Sequence, residues 1–185
     1  MASAVVILAS GCGYSGTEKD RIDFFVAAER EDVPELTTLV SRGVSVDIRD
    51  ESGDTPLMMA SAAGQVPSVE LLLRRGADPN LKDKGGVTAL HDAALYGQTA
   101  VVKVLVANGA DPNSKEVQLS CTPLMFAARG GFKDTLEALI AGGSRVNDIC
   151  INNAIIGTEG AQHLCPDRRV APTCWKTDVG EPWRY

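Results

Sequence analysis

Four places in this chain hold side chains that could do chemistry. His91-Asp92 sets an imidazole beside a carboxylate, the two groups that most often share acid–base work. Cys150, His163, Cys165 and Cys174 add up to a four-ligand thiolate–imidazole set of the kind zinc accepts. Ala9-Ser10-Gly11-Cys12 follows a short apolar run and places small residues just before a cysteine. Lys84-Gly85-Gly86 is rich in glycine, as phosphate-cradling loops are. Each is incomplete. The only other histidine is His163, near the carboxyl end, and there is no P-loop, HExxH or GxSxG. The spacing of the cysteine–histidine set matches no zinc-ligand pattern. No catalytic residue is assigned, and no cofactor or metal is expected.

The elements that must hold these residues follow from composition and repetition. A length of 185 residues suits one compact domain or a short repeat array with tails. Hydrophobic residues make up 44%, enough for a sizeable core, but aromatics only 5%, which favours small side chains between closely packed helices. The net charge of −6 is spread among interspersed acids and bases, with no Lys/Arg stripe, so nucleic acid is not expected as a partner. No apolar run reaches eighteen residues, so no membrane-spanning helix is expected. Five cysteines with no paired CxxC signature, an odd count in a long chain, read poorly as a disulfide framework.

The stretch GADPN occurs at Gly76–Asn80 and again at Gly109–Asn113, thirty-three residues on. Related stretches stand one period to either side, at Gly43–Asp47 and, shifted by a single residue, at Gly143–Asn147. Other markers keep the same register: Thr55-Pro56-Leu57, Thr88-Ala89-Leu90 and Thr122-Pro123-Leu124; Ala27, Ala60, Ala93 and Ala127; Gly64, Gly97 and Gly131. A period of this length means stacked units, each too small to bury its own apolar face. Thr before Pro predicts a capped helix start, with the helix of Thr55–Ala63 ended by a left-handed Gly64. A second helix is predicted from near Pro34 or Pro67, with Val69, Leu72 and Leu73, then Val102, Leu105 and Val106, on its apolar face. It closes at Gly43, Gly76, Gly109 or Gly143, and an extended turn then leads to the next unit.

Taken together, these markers resemble the ankyrin repeat. The predicted fold is therefore an all-α solenoid of helix–turn–helix units joined by short β-hairpin turns. The units are 20–52 (divergent, with Glu31 where glycine belongs), 53–85, 86–119 and 120–147, between a leader or tether at 1–19 and a cap with a loose tail at 148–185. The resemblance makes His91 structural, a tie between neighbouring repeats that is missing where Met58 and Met125 replace it. One residue is inserted between Asn113 and Thr122, which predicts a reshaped hairpin.

The resemblance further implies a non-catalytic module that binds a protein through its hairpin tips and first helices. By position the candidate contacts are Glu51, Ser52, Asp54, Lys84, Val87, Gln118 and Cys121 in the hairpins, with Arg30, Ala63, Tyr96 and Arg129 on the helices. Tyr and Arg are residue types that often anchor interfaces. Two alternatives stand beside this. One is an accessory redox or metal-handling protein, with a Cys165–Cys174 disulfide or a bound metal in the tail and the repeats as a dock. The other concerns Cys12. It resembles a bacterial lipidation site, which would make this a lipid-anchored envelope protein. Against that, no Lys or Arg precedes it and the apolar run is short, so a hydrophobic end packed on the first repeat of a cytoplasmic protein serves equally.

Overall fold

The computed structural model describes residues 17–145. They form eight helices and no strand: α1 (Glu18–Glu29), α2 (Val33–Ser41), α3 (Pro56–Ala63), α4 (Val66–Arg74), α5 (Ala89–Leu95), α6 (Thr99–Ala107), α7 (Pro123–Gly130) and α8 (Lys133–Ala141). Each odd-numbered helix packs on the even-numbered one that follows it. The odd-numbered helices also pack on one another in sequence, as do the even-numbered ones, making a two-layered stack.

Local chemistry starts and stops the helices. Thr55 is extended at the N-cap, its hydroxyl accepts the Met58 N–H at 3.3 Å, and Pro56 follows where no N–H is needed. The expected threonine cap does not recur unchanged. The His91 ring turns back over Thr88, whose hydroxyl lies 2.8 Å from Nδ1, and the buried Thr122 hydroxyl has no partner among the described residues. The turns after α3, α5 and α7 go through the left-handed region at Gly64, Gly97 and Gly131, with φ of 77°, 68° and 72°. After α1 the same turn is made by Glu31 at φ 62°, where a Cβ brings strain of about 1 kcal/mol.

The core repeats with the sequence. Phe24, Leu57, Leu90 and Leu124 are buried at one level, and Leu39, Leu72, Leu105 and Leu139 at another. Each such side chain contributes roughly 1.5–3 kcal/mol. Between the odd-numbered helices the residues are small: Ala27, Ala60, Ala93 and Ala127, then Ala28, Ser61, Ala94 and Ala128, all buried. Ser61 is the exception in an alanine row, and its buried hydroxyl has no partner among the described residues. Ser61→Ala is therefore expected to raise stability by about 1 kcal/mol, seen as a higher urea midpoint at unchanged slope. A lower midpoint would mean that the hydroxyl is bonded after all.

The repeated GADPN has a specific job. Asn80 donates from Nδ2 to the Gly109 carbonyl at 2.9 Å and accepts the Asp111 N–H on Oδ1 at 2.8 Å. Asn113 does the same to Gly143 and Arg145, at 3.1 and 2.7 Å. One side chain thus fastens each unit to the next with two bonds, which is why the stretch recurs at the repeat spacing. Asp47 holds this position in the first unit. It accepts the Asp78 N–H at 3.2 Å but, when ionised, has nothing to donate, and burial raises its pKa. A second ladder runs alongside: Arg49 Nη1 donates to the Lys82 carbonyl at 2.6 Å, and Lys82 Nζ to that of Lys115 at 3.0 Å.

The predicted hairpins are present as tight turns, each too short to form strands. They close through backbone bonds from Asp50 to Asp54 and from Asp83 to Val87, both 3.0 Å, and from Glu116 to Cys121 at 3.1 Å. Their tips are joined as well, with the Lys84 N–H on the Ser52 carbonyl at 3.0 Å and the Val117 N–H on that of Gly85 at 2.8 Å. A Cβ on Gly86 would lie 2.9 Å from the Val117 nitrogen, so only glycine permits this approach.

The inserted residue is accommodated at Glu116. In the first two hairpins an aspartate spans the turn. Asp50 accepts the Ser52 and Asp54 N–H groups, and Asp83 that of Val87. The third turn is one residue longer, and its acid is one methylene longer. Glu116 accepts the N–H groups of Gln118, Leu119 and Cys121 at 2.6, 2.5 and 3.1 Å. Burial would raise its pKa, but these three donors, with His91, hold it below the ordinary glutamate value.

Candidate functional site

The ends of the first helices and the adjoining hairpins enclose a groove of about 390 Å3. Glu29 lines it from α1; Met58, Met59, Ala62 and Ala63 from α3; Asp92 from α5; Tyr96 from the residue that ends α5; and Asp54 from the hairpin before α3. Helical periodicity explains the division of labour on α5. His91 faces into the stack, 1% exposed, while its neighbour Asp92 reaches the groove and Tyr96, four residues on, stands 57% exposed at its edge.

The two residues of the His91-Asp92 pair thus point to different work. The Thr88 N–H donates to His91 Nδ1 at 3.2 Å, so the ring proton sits on Nε2, which lies 3.2 Å from the Cys121 carbonyl of the next unit. The ring also meets Phe126 edge-on at 5.6 Å. Burial lowers its pKa and keeps it neutral. That is the cross-repeat tie expected of it. In the preceding unit Met58 offers only its sulfur to the Thr55 N–H, at 3.4 Å. Asp92, by contrast, is pushed up to about 7 by burial and by the negative charges of Asp54 and Asp83.

Of the sequence-predicted contacts, Arg30, Glu51, Ser52, Ala63, Lys84, Tyr96, Gln118 and Arg129 are exposed, and Asp54 and Val87 are half-buried. The groove gathers Asp54, Ala63 and Tyr96 and leaves the others outside its lining. Two assignments are corrected. Cys121 is 1% exposed and disulfide-bonded, so it has no free surface to offer; its carbonyl is committed to His91 and its N–H to Glu116. Arg129 is not the counterpart of Tyr96. The residue inserted in the third hairpin shifts that register by one, so Gly130 takes the place before the left-handed glycine and Arg129 aligns with Leu95. Glu29, Met59 and Ala62 were missed, and Asp92 was noticed only as the neighbour of His91 and not as a contact, although Met59 and Asp92 share one row of the thirty-three-residue grid with Val26.

Cys12, His163, Cys150, Cys165 and Cys174 lie outside the described residues, and so do the lipidation, zinc and Cys165–Cys174 readings built on them. Among the described residues no cluster of three or more His, Cys, Asp or Glu is arranged to hold a metal. None of the described helices is long and apolar enough to cross a membrane.

A family model described as ankyrin repeats in three copies matches residues 24–116, and one for a single ankyrin repeat matches residues 120–153. The chain belongs to the ankyrin-repeat family. No curated protein matches it. Ankyrin repeats are in general protein–protein interaction modules, and the groove lies on the first-helix and hairpin side of this ankyrin array.

Proposed function

We propose that this ankyrin array is a non-catalytic docking module that takes a protein partner across its hairpin tips and first helices. The observation that supports it best is Tyr96, a large aromatic left 57% exposed beside a groove lined by Met59, Ala62 and Ala63. An exposed aromatic beside a concave apolar lining is how interface anchors are presented. Around it Arg30, Glu51, Ser52, Lys84, Gln118 and Arg129 supply an exposed polar margin.

Proteins captured from the source cells by the full chain should be lost, at roughly thirtyfold weaker binding, by a Tyr96→Ala, Arg129→Ala double variant. A Lys103→Ala variant, altered on the second-helix side, should retain them. If the double variant keeps every partner of the parent while folding equally well, this face is not the docking face.

A further inference from the structure

We propose that the groove over α1, α3 and α5 takes a lysine or arginine side chain of the partner. The alkyl stem lies along the apolar lining and the charged head lies between Asp54 and Asp92. This rests on the docking reading above and names the chemistry that the docking face selects.

Shape is the first argument. A groove of about 390 Å3 suits one long side chain with its flanking backbone. Met59, Ala62 and Ala63 offer a stem apolar surface, and long cationic side chains bury their stems while keeping their heads in polar surroundings. Tyr96 adds an exposed ring, which attracts cations to its face.

Charge is the second argument. Glu29, Asp54 and Asp92 reach the groove from three different elements, with Asp83 close enough to repel Asp54 and Asp92. The ion pairs found among the described residues lie elsewhere: Arg21 with Glu18, Arg42 with Asp20, Arg74 with Glu70 and Lys133 with Glu137. The groove carboxylates are therefore not neutralised from within the described array, and Asp92 is raised to about 7 by burial and its acidic neighbours. A cation from outside would relieve that repulsion. A neutral or acidic segment would leave it in place.

The test is selection of random twelve-residue peptides displayed on phage against the immobilised full chain, followed by titration calorimetry with synthetic peptides. Selected peptides are expected to share a Lys or Arg at one fixed place. Replacing it with norleucine, or making Asp92→Asn, should weaken binding at least about tenfold. Asp92→Asn removes a half-buried charge that Asp54 and Asp83 repel, so its melting temperature should equal or exceed the parent's, which separates lost binding from lost folding. Peptides that lose affinity in Tyr96→Ala but share no basic residue would overturn the proposal and leave the docking reading standing. Basic peptides indifferent to both variants, or no selected peptide at all, would overturn both. A dimer of the full chain that Asp92→Asn dissociates would assign the groove to a second copy and overturn the lysine or arginine of a different partner.

Discussion

Glu116→Ala is expected to cost the array about 3 kcal/mol, although the residue belongs to no helix. Its carboxylate takes three backbone N–H groups of a hairpin one residue longer than the other two, and the Cys121 group among them is buried. Exposed amides can turn to water when the acid is removed, but a buried one cannot, and charged acceptors make the stronger bonds. Glu116→Asp should lose nearly as much, because the shorter acid that serves at Asp50 and Asp83 cannot span the longer turn. The pH dependence follows from the lowered pKa. The contribution is complete above the unfolded value near 4.5 and is lost as pH falls through the folded value. Urea unfolding of parent and variant at pH 7 and pH 3 checks both statements: the gap should be smaller at pH 3 than at pH 7. An equal gap at both would show that the carboxylate charge is not what holds the turn.

His91→Ala is expected to cost a further large amount, about 3 kcal/mol. It takes one of two donors from the Cys121 carbonyl, which keeps the Glu116 N–H, removes the acceptor of the Thr88 N–H, and opens a void beside Phe126. His91→Met should cost less, since Met58 shows that a thioether fills the position and still meets the N-cap amide. Acid acts on His91 and Asp92 in opposite directions. Burial lowers the His91 pKa, so its contribution is present above the ordinary value of 6.5 and is lost as pH falls below it. Asp92, raised to about 7, contributes stability below its ordinary value of 3.8 that is lost as pH rises through 7. Asp92→Asn removes one of the two effects, and the variant should lose more stability than the parent between pH 7 and pH 5.

The sequence carried the frame of this fold because the frame is periodic. Leu57, Leu90 and Leu124, the alanine rows and the turn glycines must match wherever units of equal geometry stack, so their spacing alone disclosed helices, turns and layers. What breaks the period was harder to read. The inserted residue near Gln118 was visible, but the answering change from Asp83 to Glu116 could be recognised only once three amides were seen to converge on one acid. The same insertion displaced Arg129 from the Tyr96 position. Burial of Cys121 follows from contacts thirty residues back in the chain, which local composition does not record. The site was legible in half: Tyr96 and Asp54 stood out by type and place, while Glu29 drew no notice and Asp92 only as the neighbour of His91, until the fold brought both around one groove.

The central claim is that each unit is fastened to the next by bonds repeated at the period of the sequence. Native-state hydrogen exchange on the full chain addresses it most directly. The amides of Lys84, Asp111 and Val117 lie on exposed residues outside any helix, yet each donates across a repeat boundary, to Ser52, Asn80 and Gly85. They should be protected nearly as well as the interior amides of α5, and Asn80→Ala should release Asp111 while leaving Lys84 and Val117 slow. Exchange of all three at the rate of free loops, with α5 still protected, would contradict the account.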